Sequence, residues 1–296
     1  MTEPSVQAPA KALEIVLATD MGFCFGVRRA VAIMEEAAAK EGSIDSLGAI
    51  VHNPVVVRDL ERRGIHHATG LDELQRSTVA ITAHGVGPTV WDELAKRGYE
   101  VVDTTCPIVT RAQKAARQLS EAGFTVVVFG QPDHPEVRGV LGYTGGRGFA
   151  TTEWQNVVDA GPFPRRLGII AQTTQNLHHF QDFVKGLIEA AAENLWELRV
   201  VNTLCDATST QQAAARLLAQ EVETVIVVGG RQSANTRHLA EVCQEAGVST
   251  HHIETAAELD SVWFRPGLRV GVTAGASTPD ASIYEVISWL EQWRPD

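Results

Sequence analysis

Three cysteines occupy the same place in three similar stretches of the sequence. Cys24, Cys106 and Cys205 each follow an apolar run and a short polar segment, and each precedes apolar residues at helical spacing. A helix N-terminus favours a thiolate, so three converging cysteines could hold zinc or an iron–sulfur cluster. A cubane cluster with three thiolates would leave one iron open to a substrate oxygen. A lone cysteine is more often a small buried hydrophobe, which is our interpretation of Cys243 within a helical pattern.

Two further turns carry small polar residues of the kind that bind an anion. Gly229 and Gly230 lead to Ser233 and Asn235 at a predicted helix start, and Ser277 lies in a similar turn after the last predicted strand. Backbone N–H groups at helix starts bind phosphate groups. Two such turns suit a diphosphate, although each alone is also an ordinary helix cap.

Histidines and one carboxylate complete the set of candidate groups. His52 and His84 stand at predicted strand ends, where they could donate hydrogen bonds to an anion or simply to the fold. His134 and Glu136 share one turn, and an imidazole beside a carboxylate can deliver a proton in a pocket that holds little water. An acidic residue in a first helical turn also stabilises the helix, so a structural role stays open.

The elements that position these residues are predicted to be parallel strands covered by helices. The strands, such as 125–129 and 224–228, are continuous apolar runs, a pattern typical of strands buried on both faces. Ligands bind at the carboxyl ends of such strands, where the polar turns lie. We predict an α/β fold of three tandem units, 1–102, 103–199 and 200–296 with a C-terminal helix, in a pseudo-threefold arrangement around a common centre.

Composition narrows the functional class. Of 296 residues, 44% are hydrophobic and 21% charged, which predicts a folded chain, and the net charge of −11 argues against a nucleic-acid binder. The first residues lack the basic and apolar segments of a signal peptide, so we expect a cytoplasmic protein that does not bind membranes. None of the four cysteines forms a C-x-x-C pair, and in that compartment we expect no disulfide.

Short motifs are distributed from Ile15 to the final helix. They are Gly22-Phe-Cys-Phe-Gly-Val, Val51-His-Asn-Pro, Ala83-His-Gly-Val, Asp103-Thr-Thr-Cys-Pro, His134-Pro-Glu-Val, Gln172-Thr-Thr, Cys205-Asp-Ala-Thr, Ser233-Ala-Asn and Thr273-Ala-Gly-Ala-Ser. Together they resemble the LytB/IspH family, the 4-hydroxy-3-methylbut-2-enyl diphosphate reductases of the methylerythritol phosphate route to isoprenoids. The resemblance implies a trefoil of three α/β units around a central [4Fe–4S] cluster, which agrees with the repeat.

The resemblance also implies roles for individual residues. Cys24, Cys106 and Cys205 would hold one cluster per chain and leave one iron open. The residues implied for the substrate diphosphate are His52, His84, Ser233, Asn235 and Ser277. The residues implied along the substrate are His134, Thr173, Thr208 and Glu136, with Glu136, His134 and Thr173 as the catalytic set.

The implied reaction is reductive dehydroxylation, with Glu136 feeding protons towards the substrate hydroxyl and with isopentenyl and dimethylallyl diphosphates as products. Ferredoxin or flavodoxin would supply the electrons. Both are usually acidic, so we expect docking on a basic patch. The candidate is the predicted helix that carries Arg58, Arg62 and Arg63.

This sequence departs from the family pattern at a few positions, and two other interpretations stay open. Ala234 stands where the family often has a second serine, Asp206 where tyrosine is frequent, and Gln131 where small or basic residues are common. One alternative is a three-cysteine [4Fe–4S] Lewis-acid enzyme of the quinolinate synthase type, without net redox change. The other is a zinc-stabilised binding protein that uses the same cysteines.

Overall fold

The computed structural model describes residues 13–159, 161, 163–191 and 195–295. Residues 1–12, on which the expectation of no signal peptide rests, lie outside the described residues. The chain divides into two units, one formed by Met1–Phe23 with Thr210–Asp296 and the other by Cys24–Ser209.

Strands and helices alternate along the chain. The strands are β1 (Glu14–Leu17), β2 (Ile44–Leu47), β3 (Ile65–Ala68), β4 (Thr78–Ile81), β5 (Glu100–Asp103), β6 (Thr125–Phe129), β7 (Gly148–Thr151), β8 (Arg166–Ala171), β9 (Glu197–Val200), β10 (Thr224–Val228), β11 (Ser249–Ile253) and β12 (Arg269–Ala274). The helices are α1 (Phe25–Glu41), α2 (Pro54–Arg62), α3 (Pro88–Lys96), α4 (Pro107–Glu121), α5 (Pro135–Leu141), α6 (Trp154–Asp159), α7 (Leu177–Ala191), α8 (Asp206–Glu221), α9 (Ala234–Glu245) and α10 (Asp280–Gln292).

The strands form three parallel sheets of four strands each. The unit Cys24–Ser209 holds two of them, with strand orders β3-β2-β4-β5 and β7-β6-β8-β9. The other unit holds the third sheet, in the order β1-β12-β10-β11. All strand pairs recorded among the described residues are parallel. The predicted α/β fold of three repeated units is confirmed.

Both faces of a sheet are covered, which explains why its strands are continuously apolar. In β6, Val126 and Val128 pack into one core with α4 and α5, whereas Val127 and Phe129 pack into another with α7. Successive side chains of a strand point to opposite faces, so a strand between two helical layers is apolar at every position. The strand β10 is built in the same way within its own unit.

Each cysteine follows an edge strand and precedes a long helix. The edge strands β1, β5 and β9 lead to Cys24, Cys106 and Cys205, and the helices α1, α4 and α8 follow these cysteines. As domain limits, the ranges 1–102, 103–199 and 200–296 remain predictions. Strand β1 lies in the first of these ranges but pairs with β12 in the sheet of the last range. The reason is that the strand before each cysteine completes the preceding sheet of the repeat.

Candidate functional site

The loops that lead from β5 to α4 and from β9 to α8 have the same construction. In each, the side chain three residues before the cysteine accepts the N–H of the residue just before the cysteine. The Asp103 Oδ1 atom lies 2.9 Å from the Thr105 nitrogen, and the Asn202 Oδ1 atom lies 3.0 Å from the Leu204 nitrogen. These Asx turns bend the chain at the end of each strand. After the first of them, Cys106 is the N-cap residue of α4.

The backbone of both cysteines is bonded to turns that carry other predicted site residues. The N–H of Cys106 donates to the carbonyl oxygen of Ala83 at 3.0 Å, directly before His84. The N–H of Cys205 donates to the carbonyl oxygen of Thr173 at 2.9 Å. The cysteine loops and the predicted substrate residues of this unit are therefore held in one hydrogen-bonded framework.

The three predicted metal-ligating thiols are half-buried, and they are close enough to interact electrostatically. Burial raises the pKa of the Cys24 thiol, the backbone N–H of Val27 opposes this effect, and the charge of Cys205 adds to it. Burial and the charges of Cys24 and Cys205 likewise raise the pKa of Cys106. Thiolates grouped in this way repel one another unless a cation lies among them, which is the environment of a metal centre.

Glycine at position 26 leaves the space in which two of these sulfurs lie. A Cβ atom on Gly26 would lie 2.7 Å from the Cys106 Sγ atom and 3.9 Å from the Cys24 Sγ atom. Cys243, in contrast, is fully buried in the core beside α8, and burial raises the pKa of its thiol to about 12. Its predicted place in the core is confirmed.

Within the described part of the chain, His52, His84 and His134 form a group of three whose ligand-type nitrogen atoms all lie within 4.8 Å of one another.

Three predicted site histidines lie together at the carboxyl ends of the strands. The ring centroids of His52 and His84 are 4.7 Å apart, and those of His52 and His134 are 5.1 Å apart. The rings of His84 and His134 are 5.4 Å apart. Burial, together with the charges that His52 and His134 would carry, holds the pKa of His84 well below its usual value. His84 is therefore uncharged at neutral pH.

The hydrogen bond that His134 accepts decides what its ring can bind. His134 is the N-cap residue of α5, and its Nδ1 atom accepts the N–H of Glu136 at 3.2 Å. In a neutral imidazole with an accepting Nδ1, the hydrogen is on Nε2, which then donates. A donor suits an oxyanion, whereas a metal ligand would need the Nε2 lone pair.

Glu136 is a buried carboxyl group held by a single neighbouring turn. The N–H of Thr173 donates to its Oε1 atom at 2.6 Å, and the Thr173 hydroxyl donates to Oε2 at 2.8 Å. Burial raises its pKa to about 7, against the opposing effect of these two bonds. Glu136 is therefore partly protonated at neutral pH, as a proton donor needs to be.

Thr208 is buried in the first turn of α8.

The other unit holds the second predicted anion-binding group. Ser233 is the N-cap residue of α9, with its hydroxyl oxygen accepting the N–H of Thr236 at 3.3 Å. Asn235 is buried, and its Nδ2 atom donates to Gln211 at 3.0 Å. The turn of Ser277 adjoins this group, because Thr278 donates to the carbonyl of Val228 at the end of β10.

Buried polar atoms of this second group have no hydrogen-bond partner among the described residues. They are the Oδ1 atom of Asn235 and the hydroxyl oxygens of Thr236 and Thr273. A buried polar atom without a partner is costly, so the cluster indicates a place for a polar ligand or water. Glycine at 275 keeps the space open, since a Cβ atom there would collide with Thr236.

The structure also shows site residues that the sequence analysis did not single out. The Oε1 atom of Gln172 accepts the N–H of Gln131 at 3.1 Å and so fixes the turn before His134. Arg29, Arg111 and Gln211 donate to backbone carbonyls beside the cysteine loops. Gln172 lies within a motif quoted above, whereas no sequence signal marks the other three.

No helix in the described ranges has both the length and the apolar character needed to span a membrane.

Comparison with known proteins gives a consistent result. The family model described as "LytB protein" matches residues 15–291. A protein of Dehalococcoides mccartyi is 45% identical over 278 residues, covering 94% of this chain and 98% of that protein, and is named 4-hydroxy-3-methylbut-2-enyl diphosphate reductase. A protein of Geobacter sulfurreducens with the same name is 45% identical over 281 residues, covering 95% of this chain and 98% of that protein.

Two solved structures are also similar. One is described as (E)-4-hydroxy-3-methyl-but-2-enyl diphosphate reductase, the terminal enzyme of the non-mevalonate pathway. It has a TM-score of 0.69 and 40% identity and covers 95% of this chain and 100% of that chain. A diphosphate reductase from Plasmodium falciparum has a TM-score of 0.85 at 24% identity, covers 95% of this chain and 88% of that chain, and supports the fold alone.

Proposed function

Because this chain belongs to the LytB family, we propose that it is the reductase that converts 4-hydroxy-3-methylbut-2-enyl diphosphate into isopentenyl and dimethylallyl diphosphates. In this reaction the allylic C–O bond breaks and a C–H bond forms. Two electrons and two protons are consumed, and water leaves. The protein must therefore hold a diphosphate, deliver protons to a hydroxyl group and receive electrons.

The observation that carries the proposal is the environment of Glu136. Hydroxide is a poor leaving group, so the departing oxygen needs a proton from an acid that is protonated near neutral pH. Burial gives Glu136 that property, and the two bonds from Thr173 fix both of its carboxyl oxygens. Thr173 thus acts through Glu136, and its carbonyl also accepts the N–H of Cys205.

We propose that the substrate diphosphate is the ligand of the two anion-binding groups. In the first group, His134 presents an Nε2–H donor because its Nδ1 atom is already bonded. An uncharged His84 beside it can donate as well. In the second group, Asn235 and Ser233 lie at the start of α9, whose backbone N–H groups favour an anion. Ala234 stands where the resemblance to the family implies a second serine, so that hydroxyl is absent from this chain.

We propose that Cys24, Cys106 and Cys205 hold one [4Fe–4S] cluster. The mutual charge interactions of the half-buried thiols fit such a group. When bound, it would supply electrons and one iron without a protein ligand. Neither alternative is favoured, because the relative and the solved structure to which this chain is similar are both named as diphosphate reductases.

We propose an acidic one-electron carrier, ferredoxin or flavodoxin, as the electron donor. The candidate surface on α2 is less basic than its sequence suggests, because Arg63 pairs with Glu35 at 2.8 Å and with Asp59 at 2.7 Å. Arg62 pairs with Asp59 at 3.4 Å. Among the three arginines of this surface, Arg58 has no ion pair recorded to any described residue.

Anaerobic isolation, followed by turnover of the diphosphate substrate with a chemical reductant, tests the proposed function. We expect iron and sulfide in the protein, and we expect Cys24→Ser, Cys106→Ser and Cys205→Ser each to lose them. Cys243→Ser is the matched control and should keep them, because this thiol lies in the core. Full iron content in any of the first three variants, or no substrate consumption by the iron-loaded protein, would contradict the proposal.

A further inference from the structure

We propose that Arg29, Arg111 and Gln211 are positioning residues that fix the cysteine loops and thereby the spacing of the three thiolates. The inference rests on the proposed function, since it assumes that the cysteines hold the cluster. Each of these residues lies one to two helical turns after a cysteine. Each donates to a backbone carbonyl one or two residues before the cysteine of the next repeat, and the first repeat counts as the one that follows the third.

The three hydrogen bonds follow the repeat. Arg29 Nη1 donates to the carbonyl oxygen of Thr105 at 3.3 Å, and Arg111 Nη2 donates to that of Leu204 at 2.9 Å. Both arginines lie five positions after their own cysteine. In the third repeat, Gln211 Nε2 donates to the carbonyl oxygen of Gly22 at 2.9 Å. These bonds connect the first repeat to the second, the second to the third, and the third to the first.

The two arginine bonds act on the peptide plane that adjoins the cysteine Cα atom. The carbonyl of Thr105 and the N–H of Cys106 belong to one plane, which is rigid. Arg29 holds its oxygen, and the carbonyl of Ala83 holds its N–H. Because the carbonyl oxygen and the N–H of this peptide plane are both held, only a few torsion angles of Cys106 remain to determine where its Sγ atom lies.

The plane before Cys205 is fixed in the same manner. Its carbonyl oxygen, from Leu204, accepts from Arg111, and its N–H donates to Thr173. A guanidinium is always charged and its hydrogen bonds are charge-assisted, so it holds a carbonyl more firmly than a neutral donor does. Ligands that are already in place before the cluster assembles lose little freedom when they bind it.

Glutamine in place of arginine gives the third repeat a second connection. The Nε2 atom of Gln211 is bound to Gly22, so its Oε1 atom faces Asn235 and accepts from the Asn235 Nδ2 atom at 3.0 Å. A guanidinium has no acceptor and could not make this bond. Gln211 therefore fixes the direction of the Asn235 amide as well as the loop before Cys24.

Iron release from the loaded protein tests the inference. The variants are Arg29→Met and Arg111→Met, and the readouts are the rate of iron transfer to a chelator without oxygen, the spectrum of the reduced cluster, and thermal unfolding. We expect iron release to be about tenfold faster, the factor for losing one charge-assisted hydrogen bond, and an altered spectrum. Arg29→Lys and Arg111→Lys should restore much of the slow release, since an ammonium can donate to the same carbonyl.

Arg147→Met is the matched control. Arg147 Nη2 donates to the carbonyl of Ser120 at 2.7 Å, a bond of the same kind at the far end of α4. We expect this variant to keep the iron-release rate and the spectrum even if it lowers the unfolding temperature. Equal release from Arg29→Met, Arg111→Met and the unsubstituted protein would overturn the inference, as would equal acceleration in Arg147→Met. An unsubstituted protein that binds no iron would overturn the proposed function as well.

The role of Gln211 has its own readout. Gln211→Met should speed iron release and also raise the KM for the diphosphate substrate, as we expect of Asn235→Ala. The double variant should raise the KM no further than Asn235→Ala alone, because both changes disable one amide. An unchanged KM in Gln211→Met would overturn the orientation of Asn235 by Gln211.

Discussion

The substitution Glu136→Gln separates the acid function of this side chain from its shape. The amide oxygen can accept the Thr173 N–H, and the amide nitrogen can donate to the Thr173 hydroxyl, so both contacts of the carboxyl group have a replacement. Only the transferable proton is lost. Since positioned proton transfer contributes about 10²- to 10⁴-fold in rate, turnover should fall at least about 100-fold, while iron content and substrate binding persist.

The raised pKa adds a second, independent signature in stability. A carboxyl group with a pKa of about 7 in the fold and 4.5 otherwise keeps its proton in the folded state while the unfolded chain has lost it. The folded state binds more protons across this window, so stability falls as the pH rises from 4.5 to 7. The full penalty above pH 7 is about 3 kcal/mol. Glu136→Gln should therefore gain up to about 3 kcal/mol over the unsubstituted protein at pH 8 and nothing comparable at pH 4.5.

Urea unfolding at several pH values, beside turnover and the substrate-induced change in the cluster spectrum, measures both effects. Glu121→Gln, on the exposed last position of α4, controls for the loss of one negative charge. The turnover of the unsubstituted protein should fall as the pH rises through about 7, because the acid form of Glu136 disappears. Near-normal turnover of Glu136→Gln would refute the acid role, and a stability difference that does not change with pH would refute the buried, protonated carboxyl.

The remaining predictions concern the space beside the cysteine sulfurs, the binding of the substrate diphosphate and the docking of the electron donor. Gly26→Ala should lower the iron bound per chain, because its Cβ would lie 2.7 Å from the Cys106 sulfur. Gly70→Ala is the control and should leave the iron content unchanged, because no atom lies within 4 Å of its added Cβ. Equal iron content in the two variants would contradict the prediction. Asn235→Ala should raise the KM about tenfold or more through loss of a charge-assisted hydrogen bond, and an unchanged KM rejects the anion site. Donor-driven turnover should slow with added salt and in Arg58→Glu, and insensitivity to both would remove α2 as the docking surface.

The sequence predicts the fold class and the cysteine positions because both repeat. Continuous apolar strands such as β6 and β10 follow from sheets covered on both faces, and that pattern is local. The cysteines are recognisable because each stands between a strand and a helix, a position that recurs at Cys24, Cys106 and Cys205. A single cysteine between a strand and a helix is a weak signal for a metal site. Because the arrangement occurs three times, the signal becomes specific even without knowledge of tertiary contacts.

Sheet membership and hydrogen-bond partners are not local, and there the sequence is insufficient. Strand β1 follows the same pattern whether it starts a first sheet or completes a last one, and only its pairing with β12 decides. Arg29 and Arg111 look like ordinary charged positions of amphipathic helices, because the carbonyls they bind lie far away in the chain. The arginines at 58, 62 and 63 look like a basic patch in the sequence, whereas the structure places Glu35 and Asp59 beside Arg63.

The turn at 134–136 shows how one short motif can serve two parts of a reaction. Its sequence indicates an imidazole and a carboxylate acting as a pair, yet the Glu136 carboxyl group accepts from Thr173 and the His134 ring accepts the backbone N–H of Glu136. Pro135, at the first helical position, has no N–H, so the N–H of Glu136 is the one that meets the His134 ring. That bond makes Nε2 of His134 a donor, while the Glu136 carboxyl accepts from Thr173 and stays buried and partly protonated at neutral pH. We therefore expect the start of α5 to combine anion binding with proton delivery, because the backbone of the acid fixes the tautomer of the histidine.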